Sequence, residues 1–522
     1  VTHDKGANWE IISPDLTTDN PEHQKVDYGG LTLDVSGAER YNSILSIAPS
    51  PLDEGVIWVG TDDGQVQLTK DGGKTWNNLT AKVKGMPEEA WIAQIEASRH
   101  KTGTAWMVAN NYRKGDYAPY LFKTEDFGRS WKRMVDANAV NGYALCVIQD
   151  PVEPNLVFLG TENGLWVSID EGKSWVQFKN GFPSVSTMDL KIQETESALI
   201  VGTFGRAIWV LDDLLSLREI AGKRLKEGLT ALPVNDAVQV KGLFINPPGN
   251  IWTGFHTTFE GVNKVFQKTE IPFYLSEEPQ AGAILKAAVL NSENDTVNRL
   301  SSDDLQIGLN YILWKLDEAT SSASGPSKGD YRRGIPVLPG DYTLVLQYGS
   351  FTDSTQVRVI EDPRFDLDPE VDIALYKFRK EVALQAAKLS KDLKEIDKKI
   401  SLVDAMQKQL SGDSLQSHEA LQEQLVQMKG RLVALKAEGQ TPRPDRQIGA
   451  WQSFETSPRS KLREAQNIGR AQTIEISLQH KRVLEQATSL IADFSESVTA
   501  FMETEWSPFE KKVRESHPKW TE

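Results

Sequence analysis

The octapeptide "SIDEGKSW", Ser168 to Trp175, is one of several copies in this chain. It recurs as "TKDGGKTW" (Thr69 to Trp76), as "TEDFGRSW" (Thr124 to Trp131) and, more loosely, as "THDKGANW" (Thr2 to Trp9). The shared pattern is Ser/Thr-x-Asp-x-Gly-x-x-Trp. Its tryptophans stand 67, 55 and 44 residues apart, uneven but near the length of a propeller blade.

The flanks repeat as well. "VIWVGTDDG" (Val56 to Gly64), "LVFLGTENG" (Leu156 to Gly164) and "ALIVGTFGR" (Ala198 to Arg206) each give an apolar strand, Gly-Thr and a turn. Asp-Gly and Asn-Gly are strong hairpin signals. A strand follows each turn ("QVQLTK", "LWVSID", "AIWVLD"), and an inner strand precedes each unit ("SILSIAPS", "WIAQIEAS", "ALCVIQDP", "TMDLKIQE"). Four short antiparallel strands per unit predict β-propeller blades over residues 1–225.

The octapeptide then has a structural task. Gly6, Gly73, Gly128 and Gly172 supply the positive φ of a tight turn. Asp4, Asp71, Asp126 and Asp170 accept backbone amides across it, helped by the Ser/Thr hydroxyl. Trp9, Trp76, Trp131 and Trp175 are expected to fill the gaps between neighbouring units. None of this needs catalysis. These residues resemble the Asp-box, or bacterial neuraminidase repeat, of sialidases, xyloglucanases and sortilin-type propellers. The resemblance implies boxes on the outer rim, away from any ligand.

Four inner strands follow an opening segment that supplies only the last hairpin of a unit. The expectation is the C-terminal part of a larger propeller, with other blades upstream of Val1 or on another chain. The alternative is a closed four-bladed ring in which "NWEIIS" (Asn8 to Ser13) completes the last unit. A signal peptide is likewise expected upstream of Val1, for an extracytoplasmic protein: secreted, periplasmic or associated with an outer membrane.

Residues 226–270 read as a connector. Over 271–365, short alternating strands with frequent turn residues predict an immunoglobulin- or fibronectin-like β-sandwich, with a polar loop from Ala319 to Gly334. Over 366–522 the apolar period becomes helical, from Leu375 to Leu410 and again from Leu421 to Leu435. "SGDS" (Ser411 to Ser414) breaks the two into a hairpin. "SPRSKL" caps a third helix running to Phe501, for a three-helix bundle. The fold class is therefore multidomain and mainly β: propeller, sandwich, then helices. The same order resembles bacterial envelope proteins labelled sortilin-type or BNR-repeat glycosyl hydrolases, and the helical part could dock an envelope complex.

The chain has 522 residues, 58 Lys+Arg against 73 Asp+Glu, and a net charge of −15, which excludes a general nucleic-acid binder. No run of apolar residues is long enough for a transmembrane helix. The single cysteine, Cys146 in an apolar strand, permits no internal disulfide and reads as a small core residue. No His pair has ligand spacing, so no metal is expected, and no phosphate-binding motif calls for a cofactor.

A sialidase needs three arginines around a carboxylate, and too few of Arg40, Arg99, Arg113, Arg129, Arg133 and Arg206 are placed for that. Instead, one unit replaces its short turn with a longer loop, Asn110 to Pro119, offering Asn111, Tyr112, Arg113, Asp116 and Tyr117. Arg206 puts a cation in the equivalent turn of the last unit. With Glu39, Arg40, Tyr41 and Trp91, these residues are the candidate ligand-binding face. The expected function is noncatalytic binding of a protein or glycan. The alternatives are a sialidase-like or xyloglucanase-like glycoside hydrolase with catalytic residues partly in upstream blades, and an accessory subunit of an outer-membrane assembly.

Overall fold

The computed structural model describes residues 1–25, 41–179, 181–239, 269–319, 334–363, 365–366, 368–410, 419–440, 456–470 and 475–516. Four antiparallel sheets come first, each with its strands in chain order. The first holds β1 (Ile44–Pro49), β2 (Ile57–Thr61), β3 (Val66–Thr69) and β4 (Asn77–Asn78). The second holds β5 (Trp91–Ala97), β6 (Ala105–Asn111), β7 (Asp116–Thr124) and β8 (Lys132–Arg133). The third holds β9 (Ala144–Gln149), β10 (Val157–Thr161), β11 (Gly164–Ser168) and β12 (Val176–Gln177). The fourth has three strands, β13 (Thr187–Gln193), β14 (Ala198–Thr203) and β15 (Ile208–Leu211). The arrangement is β-propeller-like.

All four octapeptides close their turns the same way. In the third sheet Gly172 N donates to Ser168 Oγ (2.8 Å), while Ser174 N and Oγ donate to the Asp170 carboxylate (2.9 and 2.6 Å). Thr69–Asp71–Gly73–Thr75 and Thr124–Asp126–Gly128–Ser130 repeat those bonds. Thr2–Asp4–Gly6–Asn8 keeps the pattern, with an amide in place of the hydroxyl. The turn glycine also lies against the preceding sheet. A Cβ on Gly172 would stand 2.9 Å from the Trp106 ring, and one on Gly128 2.4 Å from Leu79. Trp131 meets Trp58 edge-on at 5.9 Å, and Trp175 is buried beside Trp106. Trp9 departs from expectation. It is 74% exposed, because among the described residues no preceding sheet stands behind it.

The inner strands β1, β5, β9 and β13 are joined by a second device. Each carries a bulge near its start, and in the first three the residue just after the bulge reaches the next inner strand. Ser46 Oγ accepts Ile95 N (2.8 Å), Gln94 Oε1 accepts Val147 N (2.7 Å), and Cys146 Sγ contacts Thr187 O (3.5 Å). Asp189 holds the same position in the fourth sheet and, among the described residues, accepts only its neighbour's amide, Leu190 N. The glycine of Gly-Thr makes the close approach possible. A Cβ on Gly60 would fall 2.3 Å from Ile92 Cγ2, and one on Gly160 2.7 Å from Thr187 Cγ2. The equivalent Gly202 meets nothing closer than Asp189 O at 3.6 Å. At the other end, Ile44, Leu45 and Ile47 of β1 are exposed.

"NWEIIS" does not complete the fourth sheet. Ile12 O accepts Trp76 Nε1 (2.9 Å) and Leu16 O accepts Gln67 Nε2 (3.0 Å), so this segment lies on the first sheet, and β15 pairs with β14 alone. In the fourth unit α1 (Leu214–Ala221), capped by Asp213, follows β15 where the other units have the octapeptide, with Leu214 N donating to Ser197 O (3.1 Å) as the octapeptide amides donate to the preceding turn. Its Arg218 donates twice to the buried Asp150 carboxylate (3.0 and 2.9 Å) and to Ser197 Oγ (2.9 Å), locking helix to third sheet.

Next come two sheets around one core of Phe273, Leu285, Trp314, Leu344 and Val357. Their strands are β16 (Leu229–Ala231), β17 (Ala237–Gln239), β18 (Thr269–Leu275), β19 (Leu285–Leu290), β20 (Thr296–Ser302) and β21 (Gly308–Trp314), the short pair β22 (Asp317–Glu318) and β23 (Ile335–Pro336), then β24 (Gly340–Tyr348) and β25 (Phe351–Glu361). One sheet runs β16-β18-β21 and the other β17-β25-β24-β19-β20. The stretch read as a connector therefore contributes two strands, because Leu229 and Ala237 have this core to enter. The β17–β25 pair is parallel, where only antiparallel pairing was expected. Most of the loop expected from Ala319 to Gly334 lies outside the described residues.

The helices are α2 (Pro369–Leu410), α3 (Glu419–Gly439), α4 (Pro458–Ile468), α5 (Leu478–Phe501) and α6 (Ser507–Ser516). Lys436–Asp397 and Lys429–Asp404 ion pairs set α2 and α3 antiparallel. The hairpin break "SGDS" lies outside the described residues. Ser457 caps α4 as read, with Ser460 closing the box. The single third helix is interrupted, however. α4 stops at Gly469, where a Cβ would meet the Phe378 ring at 2.9 Å, and the helix resumes at Leu478. The apolar stripe, with Ile396, Val403, Leu432, Ile491 and Phe494, is buried in the bundle's own core. No helix among the described residues is long and apolar enough to cross a membrane.

Packing makes two expectations measurable by urea unfolding. Gly60→Ala and Gly160→Ala should each cost about 1–3 kcal/mol through overpacking, while Gly202→Ala should be nearly neutral. Arg218→Ala strands the buried Asp150 carboxylate and should cost about 3–5 kcal/mol.

Candidate functional site

The loop that replaces a short turn is built by the end of β6, a 3-10 turn at Tyr112–Lys114 and the start of β7. Gly115 at φ +78° turns the chain back. Its aromatic residues meet others placed at or just before inner strands. The Arg113 guanidinium lies 3.2 Å from the Trp91 ring centroid and 4.5 Å from that of Tyr112. Tyr112 stacks on Tyr143 (4.5 Å, 19°), Tyr117 tilts against Tyr143 (6.2 Å), and Tyr41 meets Trp91 edge-on (6.1 Å). His23 extends the row against Tyr41 (5.3 Å).

Five candidates are thus brought together: Tyr41, Trp91, Tyr112, Arg113 and Tyr117. Two others at the loop serve it internally. Asp116 accepts Tyr120 Oη (2.7 Å) and Ala118 N (3.1 Å). Burial raises its carboxyl pKa, but these bonds and one from Asn111 outweigh that and hold it below the usual range. Asn111 is therefore a loop-shaping residue by contact. Arg206 stands apart, exposed in the fourth sheet's turn, with its carbonyl accepting Trp209 Nε1 (2.8 Å). Glu39 and Arg40 lie outside the described residues.

Charge around the aromatic row is mostly paired. Glu89 binds Lys114 Nζ (2.7 Å) and His23 Nε2 (3.2 Å), and Lys114 holds the Glu89 carboxyl below its ordinary value. Arg113 has no ion pair or hydrogen bond among the described residues. Trp91 Nε1, His23 Nδ1 and Asn110 Oδ1 are buried there without a hydrogen-bond partner among the described residues. Sequence reading missed Tyr143 and His23. The signal for Tyr143 was positional: Tyr41, Trp91 and Tyr143 precede or open three of the four inner strands.

A second constellation lies where the four inner strands converge, in a cleft of about 440 Å³. Ser46, Gln94, Glu96, Arg99, Asp189 and Lys191 supply its polar lining. Burial pushes the Glu96 carboxyl up to about 7, against the lowering pull of Lys191 and Arg99, and Asp189 adds to the rise. Cys146 also faces this cleft, and its burial pushes the thiol pKa up, keeping it neutral. Alternation in "WIAQIEAS" hid Glu96, since a bulge between Ile92 and Gln94 shifts the register. No group of three or more His, Cys, Asp or Glu among the described residues is placed to hold a metal ion.

No protein family's sequence profile matches the chain, and no curated protein matches it. Solved structures that it resembles include YCF48 from Cyanidioschyzon merolae (17% identity, TM-score 0.25, covering 32% of this chain and 52% of that one). Another is the GH74 enzyme of Niastella koreensis (17%, TM-score 0.24, 33% and 23%). A third is an ancestral GH74 enzyme (13%, TM-score 0.27, 56% and 35%). The chain spans about half or less of the length of these proteins.

The Glu96 carboxyl gives a signed pH dependence. Its folded pKa of about 7 lies above the ordinary 4.5, so the folded state holds the proton longer. Its contribution to stability is present below pH 4.5 and is lost as pH rises through 7. In urea unfolding, wild type should lose more stability than Glu96→Gln between pH 5 and pH 8.

Proposed function

We propose that this chain is a noncatalytic binding protein whose ligand, a protein or a glycan, sits on the loop face around Tyr112 and Arg113. The observation that carries this is the Trp91–Arg113–Tyr112–Tyr143 stack on a loop inserted where other units have a short turn. Rigid scaffolds with one elaborated loop concentrate recognition there, and Trp, Tyr and Arg dominate binding hot spots. The proposal places the protein outside the cytoplasm, following the octapeptide's family resemblance. It also takes the four sheets as the C-terminal part of a larger propeller. The open face of Gly202, the unreached Asp189 and the exposed Ile44 and Ile47 support that reading.

A second reading, a glycoside hydrolase, is favoured by one specific observation. Glu96, with its carboxyl raised to about 7, shares the cleft with a second carboxyl, that of Asp189, and such enzymes work with two carboxyl groups in one cleft. One experiment separates the two. The intact chain is screened on peptide and glycan arrays and for glycan turnover. Binding lost in Tyr112→Ala and Tyr117→Ala but kept in Glu96→Gln supports the loop face. Turnover abolished by Glu96→Gln supports the cleft and overturns the noncatalytic reading.

A further inference from the structure

We infer that the loop face captures a carboxylate on an acidic polypeptide segment, with Arg113 as its anchor. This rests on the loop face being the binding site and adds the chemistry of the ligand. Three observations lead to it.

First, Arg113 is a prepared fork. Its guanidinium carbon lies over the Trp91 ring, 3.2 Å from the centroid, and 4.5 Å from the centroid of Tyr112, so two rings hold it in place. Its side chain is exposed and makes no ion pair or hydrogen bond among the described residues. A planar guanidinium with five donors matches a carboxylate in two parallel hydrogen bonds, and holding it in place removes much of the entropy cost.

Second, the neighbouring charges do not fill it. Lys114 is taken by Glu89, and Glu89 by Lys114 and His23. Asp116 is spent on Tyr120 and the backbone of Ala118. Two carboxylates beside it are thus engaged elsewhere, while Arg113 has no ion pair among the described residues.

Third, the ring faces are used inside the cluster. Trp91 carries Arg113 on its face and Tyr41 at its edge, while Tyr112 and Tyr143 cover each other at 4.5 Å and 19°. A sugar stacks on a free ring face, and in Trp91, Tyr112 and Tyr143 a ring face is already covered by a neighbour. Only Tyr117, 58% exposed, projects beyond the stack. A polypeptide carboxylate with a flanking side chain against Tyr117 uses what is on offer.

The test is a synthetic peptide array of random decapeptides with amidated C-termini, probed with the intact chain at low salt. A uronate oligosaccharide array runs in parallel. The expected result is a bound set enriched in Asp and Glu, weakened roughly 10- to 100-fold by Arg113→Gln, the range for a charged hydrogen-bonded pair. Arg113→Lys should recover only part of it, because charge without the fork is not enough. Binding should also fall with added salt. Thermal unfolding of each variant checks that the fold persists.

If the bound peptides show no acidic bias, or Arg113→Gln binds as wild type while Tyr112→Ala and Tyr117→Ala fail, the carboxylate inference falls and the loop-face site stands. If uronates bind through Arg113 and peptides do not, the polypeptide partner is overturned. If the Arg113, Tyr112 and Tyr117 variants all bind as wild type, the loop-face reading falls as well. If neither array yields binding to wild type, both are overturned.

Discussion

The contact between successive inner strands holds the N-terminal half together. The first and third sheets each offer a glycine to the sheet that follows, which supplies a side chain to fill the space. Gly60 takes Ile92, and Gly160 takes Thr187. The bulge beside each contact turns one polar side chain across the gap, so Ser46 and Gln94 each satisfy a neighbouring strand's amide. An inner strand with one neighbour inside its sheet leaves backbone groups exposed, and cross-sheet acceptors meet that demand. Spacing between sheets is then set near the axis, where there is least room for error.

The octapeptide acts at the other radius. Its Asp and Ser/Thr close the outer turn so that glycine can lie on the aromatic residue of the sheet before it, Gly172 on Trp106 and Gly128 beside Trp58. Where no such residue stands behind it, as with Trp9, the same hydrogen bonds form and the tryptophan is left in solvent. The turn is therefore a local unit that folds on its own bonds, and the burial is a property of neighbours. At the fourth sheet α1 performs the covering task by another chemistry. The buried Arg218–Asp150 pair replaces a turn that the sequence there does not encode.

These two scales explain what could be read from the chain. The turn bonds are written in eight consecutive residues, so Asp71, Gly73 and their equivalents were legible with their roles. The clustering of Tyr41, Trp91, Tyr112, Arg113 and Tyr117 was legible because an inserted loop interrupts a repeat, and an interruption is visible against a period. Glu96 and Asp189 were not legible as a pair, since nothing in strands nearly a hundred residues apart says they share a cleft. The strands at Leu229 and Ala237 were missed for a related reason: each is three residues long and owes its form to a core assembled from residues far along the chain. In the bundle, the stop at Gly469 depends on the Phe378 ring, a contact across helices that periodicity does not report.

The two polar constellations differ in how they treat their charges. In the cleft, burial works against ionisation, so the Glu96 carboxyl is held up near 7 even with Lys191 and Arg99 pulling it down. On the loop face, Glu89 and Asp116 are engaged by their neighbours, and the Arg113 guanidinium lies over aromatic rings that offer it no counter-ion. The first arrangement stores a titratable group; the second stores an unmet hydrogen-bonding demand of fixed direction. Under the proposed reading, demand of that kind is met by a ligand, which is why the loop face, more than the axial cleft, is proposed as the binding site.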